Sequence, residues 1–166
     1  MVIKWILDGM REFKRVLITG ISGSGGSYLA EQILERNPDI SMHGITRWHS
    51  TTTSKNLKKI ENKVQIYECD LCDLSSVIRT LEISKPDIIF NLASHANVRA
   101  CFDTPITVVQ NNILSTLNLL EAIRLVSLKT LLVHCSTSEV YGQVDKSQIP
   151  INEKCPINPV NPYSVS

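Results

Sequence analysis

Seven residues near the start of the chain carry the plainest chemistry. Gly20-Ile21-Ser22-Gly23-Ser24-Gly25-Gly26 is a turn rich in glycine and serine. The apolar run Arg15-Val-Leu-Ile-Thr19 precedes it, and Leu29, Ile33 and Leu34 follow at helical spacing. A strand, a glycine turn and a helix in that order suit a phosphate. The first glycine permits a tight turn, the middle ones admit phosphate close to the backbone, and the last lets helix pack on strand. N–H groups at the helix start, with the helix dipole, then hold a pyrophosphate. Gly20, Ser22, Gly23, Ser24, Gly25 and Gly26 are the expected contacts; the competing reading is a flexible loop with structural glycines.

A second chemical choice lies in His43-Gly-Ile-Thr-Arg47-Trp48-His49. A site for NAD usually places an acid after the second strand to hold the ribose hydroxyls. This stretch has no Asp or Glu, and Arg47 stands where a guanidinium could pair with a 2′-phosphate. NADP is expected in preference to NAD, the alternative being that Arg47 is a solvated surface charge.

The elements that must position these residues follow from short apolar runs. Strands are expected at Arg15 to Thr19, Ile40 to Thr46, Val64 to Cys69, Ile88 to Leu92 and Thr130 to Cys135. Between them, helices are expected over Tyr28 to Arg36, within Asp70 to Ser84 with Val77, Ile78 and Leu81 inward, and over Thr107 to Ser127. The last carries Val108, Ile113, Leu117, Leu120 and Ile123. Thr51 to Asn62 reads as polar loop with a little helix, and Gly142 to Asn161 as mostly loop. Such alternation argues for an α/β fold with a doubly wound parallel sheet, and right-handed crossovers give the strand order 3-2-1-4-5. Ligands in such sheets bind beyond the carboxyl ends of the strands.

Composition bounds the rest. The 166 residues fit one core-forming domain, and 43% hydrophobic with 20% charged residues is ordinary for a globular chain. A formal charge of +1 gives no field that would favour nucleic acid or an anionic membrane. No apolar stretch is long enough to span a bilayer. Five cysteines, an odd count with no secretory signal before them, imply reduced thiols and a cytoplasmic protein. Cys69 and Cys72 form the one close pair and lack the partners a zinc site needs, so no metal is expected. Residues 1–14 read as an extension that packs on the domain or on a neighbouring subunit through an apolar helix face of Ile3, Trp5, Ile6, Leu7, Met10 and Phe13, the alternative being disordered chain, and residues 15–166 as the nucleotide-binding domain.

The glycines at 20, 23 and 26 make a G-x-x-G-x-x-G spacing. It resembles that of the extended short-chain dehydrogenase/reductases, the NAD-dependent epimerase/dehydratase family, with a Rossmann-like sheet. The resemblance runs from Arg15 to Ser166. It implies that Asp70 and Leu71 meet the adenine, and that Leu92, Ala93 and Ser94, in Asn91-Leu-Ala-Ser94, run beside the cofactor ribose. Asn111 and Asn112 open a stretch, Asn112 to Ala122, similar to the family's N-x-x-x-T-L-x-L-L-E-A, and are expected to order backbone. Family members commonly dimerise through this long helix, so association of copies is expected.

Two later segments resemble the catalytic part of that family. Ser136-Thr137-Ser138-Glu139-Val140-Tyr141-Gly142 is similar to its S-T/S-x-E-x-Y-G, and Pro156 to Ser166 to its P-x-x-P-x-x-P-Y-x-x-S-K. By this resemblance Thr137 orients a sugar hydroxyl and Tyr163 is the acid/base for it. The Lys of the family falls just past Ser166, as do later strands and a sugar-nucleotide region, so the 166-residue chain is expected to turn over little. Oxidation at sugar C4 makes the C5 proton acidic; a Glu can then remove it while water leaves C6. The resemblance gives Glu139 that role, the alternative being a surface carboxylate. Thr137-Ser138-Glu139, Gly26 to Glu31 and His43 to Arg47 resemble GDP-mannose 4,6-dehydratases most. A nucleotide-sugar substrate, GDP-mannose foremost, is therefore implied. A 4-keto-sugar reductase, a 4-epimerase and a nucleotide-binding module without catalysis stay open. His95 stands where the family more often has Gln and reads as structural, and His134 as core.

Overall fold

The computed structural model describes residues 13–47 and 55–166. The extension reading for residues 1–12, the loop at 51–54, and Trp48 and His49 lie outside the described residues. The chain divides into two compact units. One reaches to Ala93 and takes in Ser115–His134; the other comprises Ser94–Leu114 and Cys135–Ser166.

The first unit holds a parallel sheet of β1 (Arg15–Thr19), β2 (Ser41–Thr46), β3 (Val64–Glu68), β4 (Ile88–Asn91) and β5 (Leu131–His134). The strand order is β3-β2-β1-β4-β5, as the sequence pattern requires. Strand β1 is buried on both faces, so it reads as a continuous apolar run with no alternation. Val16 and Ile18 face α1 (Ser24–Arg36) and meet its Ala30, Ile33 and Leu34. Leu17 and Ile45 face the other way, in one cluster with Val77 and Leu81 of α2 (Leu74–Ser84). Burying each of these Val, Leu and Ile side chains contributes about 1.5–3 kcal/mol. Asp73 caps α2 by accepting from Ser75 N at 3.1 Å. The Asp87 carboxylate accepts from Lys14 N and Arg15 N at 2.8 and 2.9 Å, which fixes the start of β1 against that of β4.

Helix α3 (Ala100–Asp103) precedes α4 (Pro105–Leu125), whose first part belongs to the second unit and whose remainder belongs to the first. The short α5 (Pro162–Val165) closes the chain. Among the described residues no helix is long and apolar enough to cross a membrane.

Two sequence expectations are corrected, the start of α1 and the place of His134, and α4 buries a face that its large apolar residues do not mark. Helix α1 starts at Ser24 rather than Tyr28, because its first turn is built from the glycine run itself. In α4 the buried positions are Val108, Asn112, Ser115, Leu119 and Ala122, whereas Ile113, Leu117 and Leu120 are 37%, 53% and 47% exposed. Apolar periodicity marks both sides of this helix, and the inner side is the one with the small and polar residues. His134 is exposed, not core, because β5 has β4 as its one sheet neighbour among the described residues.

Candidate functional site

In the first unit the polar motifs gather at the carboxyl ends of the strands. Gly20 leaves β1 at φ +67°, a conformation glycine adopts without strain, and donates its N–H to Ile45 O at 3.1 Å. A Cβ on Gly20 would lie 3.0 Å from Ala93 Cα. On Gly26 it would lie 2.5 Å from Gly20 O, so no side chain fits where helix crosses turn. Gly23 is the N-cap of α1, with no side chain filling the cap and no acid in the first turn. The first helical bond runs from Ser27 N to Gly23 O at 3.0 Å. The N–H groups of Ser24, Gly25 and Gly26 thus have no helical carbonyl to meet. Gly23, Ser24 and Gly25 are exposed. This is a cradle of donors that fits a pyrophosphate. Asn56 steadies it, donating to Ser22 O at 2.9 Å.

Facing Gly20, the Leu92–Ala93 backbone is held by a side chain the sequence reading passed over. The hydroxyl of Thr19, fully buried, accepts from Leu92 N at 3.1 Å and from Ala93 N at 3.0 Å. It donates to Asn91 Oδ1 at 2.6 Å. The Asn91 amide in turn meets His134 Nδ1 at 3.0 Å. At the ends of β2 and β3, Arg47 and Asp70 are exposed and Leu71 is buried. Asp70 Oδ1 accepts from Cys72 N at 2.9 Å, and Leu71 O accepts from Asn118 at 3.0 Å. Burial, and then the Asp70 charge, push the Cys72 thiol up, while Arg47 opposes them.

The second unit begins at Ser94, which is exposed. Thr137 caps a 3-10 turn, Ser138–Tyr141, accepting from Glu139 N at 3.2 Å. Gly142 ends that turn at φ +61°, where a Cβ would strike Asn158 O. Asn158 N donates back to Val140 O at 2.8 Å. Helix α5, which carries half-buried Tyr163, packs against the same turn. Its N-cap, Asn161, forms a reciprocal capping box with Ser164 and has Pro162 at the first helical position. The Asn161 amide also donates to Glu139 Oε2 at 2.8 Å. One side chain therefore fixes both the Glu139 carboxylate and the start of the Tyr163 helix. An Asn before Pro-Tyr is a readable cap signal; its second bond, to a residue far back in the chain, is not.

Asn112 is buried and orders backbone, as expected. It accepts from His95 N at 2.8 Å and donates to Ser166 Oγ at 3.0 Å. The structure thus groups Gly20 to Gly26 with Leu92 and Ala93 in one unit, and Thr137 and Glu139 with Tyr163 in the other.

Comparison with known proteins bears on both groups. A family model described as GDP-mannose 4,6 dehydratase matches residues 17–166. The GDP-mannose 4,6-dehydratase of Yersinia enterocolitica is 38% identical over 165 residues, covering 92% of this chain and 42% of that protein. Among solved structures, a dTDP-glucose 4,6-dehydratase from Streptomyces venezuelae with NAD bound aligns at 25% identity and a TM-score of 0.79, covering 91% of this chain and 47% of that one. The Thermus thermophilus UDP-glucose 4-epimerase in complex with NAD aligns at 26% identity and a TM-score of 0.78, covering 91% and 46%. The chain spans less than half the length of these relatives.

Proposed function

Because the chain belongs to the GDP-mannose 4,6 dehydratase family, we propose that it carries the cofactor site and acid/base residues of a cytoplasmic nucleotide-sugar 4,6-dehydratase. The substrate is GDP-mannose and the product its 4-keto-6-deoxy form. The observation that carries the reading is the Asn161 clamp, which holds a carboxylate, Glu139, beside the helix of a tyrosine, Tyr163. A reductase has no need of a base for C5; a dehydratase does.

The glycine turn fits a dinucleotide, and the two solved relatives with NAD bound support a nicotinamide cofactor. Gly20, Ser22, Gly23, Ser24, Gly25 and Gly26 would hold its pyrophosphate. Asp70 and Leu71 would meet its adenine, and Leu92, Ala93 and Ser94 its ribose. Arg47 would pair with a 2′-phosphate, which makes NADP the expected form. When bound, such a cofactor would supply a hydride acceptor at C4 and a hydride donor at C6.

This chain's own residues move the protons. Tyr163 takes the proton of the C4 hydroxyl, which Thr137 orients. Glu139 takes the C5 proton once C4 is a ketone and gives it to the C6 hydroxyl, which leaves as water as the C5–C6 double bond forms. As C6 is reduced, C5 takes up a proton in place of the one Tyr163 removed from the C4 hydroxyl, so water is the net loss and no NADPH is consumed. Copies associate through the exposed Ile113, Leu117 and Leu120 of α4.

The test takes the full natural polypeptide with GDP-mannose and NADP. A 4-keto-6-deoxy product without net NADPH oxidation is expected. NADPH consumed mole for mole would make it a reductase, and an epimerised hexose an epimerase. NADP bound with no product formed would leave a nucleotide-binding module.

A further inference from the structure

The network at the ends of β1, β4 and β5 has a polarity that two backbone amides decide. A hydroxyl offers two acceptor lone pairs and one donor. Both lone pairs of Thr19 Oγ1 are used, by Leu92 N and Ala93 N at 3.1 and 3.0 Å. A backbone N–H cannot reverse its role, so the Thr19 proton must be given away. Among the described residues the group that takes it is the Asn91 side chain at 2.6 Å, and the atom there must be the amide oxygen. The Asn91 NH2 then faces His134 Nδ1 at 3.0 Å. An amide nitrogen donates only, so Nδ1 must accept and carries no proton. Thr19 and Asn91 are 0% and 1% exposed, so water does not offer an easy substitute for a missing partner.

We infer that His134, held as the neutral Nε2–H tautomer, is a positioning residue for the Leu92–Ala93 backbone that faces the glycine turn. The inference rests on the cofactor reading above for what that backbone serves, and on the hydrogen bonds alone for the tautomer. His134 acts through Asn91 and Thr19. With no acceptor at 134 the Asn91 amide loses its anchor. If the amide turns over, Thr19 Oγ1 faces a third donor and its own proton is stranded. Either way the Leu92 and Ala93 N–H groups lose a fixed acceptor, and the backbone 3.0 Å from the Gly20 Cβ position is released.

The test has two arms on the 166-residue chain. The chain has four histidines, and the signals lost in His134→Gln assign this one in a nitrogen-15 correlation spectrum. An unprotonated Nδ1 with a protonated Nε2 at neutral pH is expected; an Nδ1–H tautomer overturns the inference. In the second arm NADP is titrated against three proteins. His134→Leu fills the space without an acceptor and is expected to bind about threefold to tenfold more weakly, as loss of a partner for a buried donor implies. His134→Gln keeps an acceptor oxygen and is expected to recover to within about twofold of the wild type. Equal binding by wild type and His134→Leu, or failure of His134→Gln to recover, overturns the inference. If His134→Leu does not fold, the tautomer and His134→Gln decide. Absence of NADP and NAD binding by a wild-type chain with the expected tautomer would overturn the cofactor reading, and with it the positioning role.

Discussion

At the scale of single residues, the proposed phosphate cradle depends on what is missing. A Cβ at position 26 would come within 2.5 Å of Gly20 O and 2.8 Å of Ile21 Cα, both backbone atoms that cannot swing aside. Gly26→Ala is expected to destabilise the fold by about 1–3 kcal/mol, as overpacking does, and to abolish NADP binding. Urea unfolding and an NADP titration check it; a variant that keeps both would show that the helix can shift without loss. Arg47 tests the choice of cofactor. Arg47→Ala is expected to weaken NADP about tenfold or more with NAD unchanged, since a charge-assisted pair to the 2′-phosphate is lost. Equal loss for both nucleotides would place Arg47 elsewhere. The glycine turn was legible because its spacing and its flanking runs are local. The Thr19–Asn91–His134 chain was not, because its partners are 72 and 43 residues apart and meet only when the sheet forms. The same holds for the Asn161–Glu139 bond across 22 residues.

Among elements, β2 carries an ionisable group the proposed chemistry does not use. His43 is buried, within hydrogen-bond distance of Ser41 Oγ at 3.0 Å and Tyr67 OH at 3.1 Å, and its ring stacks on that of Tyr67. Burial, and then the Arg15 charge, hold its pKa below the ordinary imidazole value. The folded state therefore binds this proton less readily than the unfolded one. The stability it contributes is complete above about pH 6.5 and is lost as pH falls through the lower folded value. The urea midpoint is expected to drop on acidification below about pH 6.5, and to drop less in His43→Gln. Parallel curves for the two proteins would move the effect to another group. Strand order was legible because each strand is a short apolar run and the crossovers have one hand. The inner face of α4 was not. Its buried Asn112 and Ser115 look like surface residues, and only the packing around them shows otherwise.

For the whole molecule, family membership and fold agree while length separates the chain from its relatives. The chain covers 42% of the Yersinia enterocolitica protein. Within that share lie a complete glycine cradle in one unit and the Thr137, Glu139 and Tyr163 group in the other. Helix α4 adds something that neither site requires. It packs Leu119 and Ala122 inward and leaves Leu117 and Leu120 about half exposed on its other side. A surface of that kind would tie thermal stability to mass action. If copies pair there, the melting temperature climbs with protein concentration, because pairing draws on the folded state alone. A melt repeated over a hundredfold dilution series is expected to show the climb, and Leu117→Glu with Leu120→Glu to flatten it. How firmly this chain stays folded would then depend on how many others are dissolved beside it.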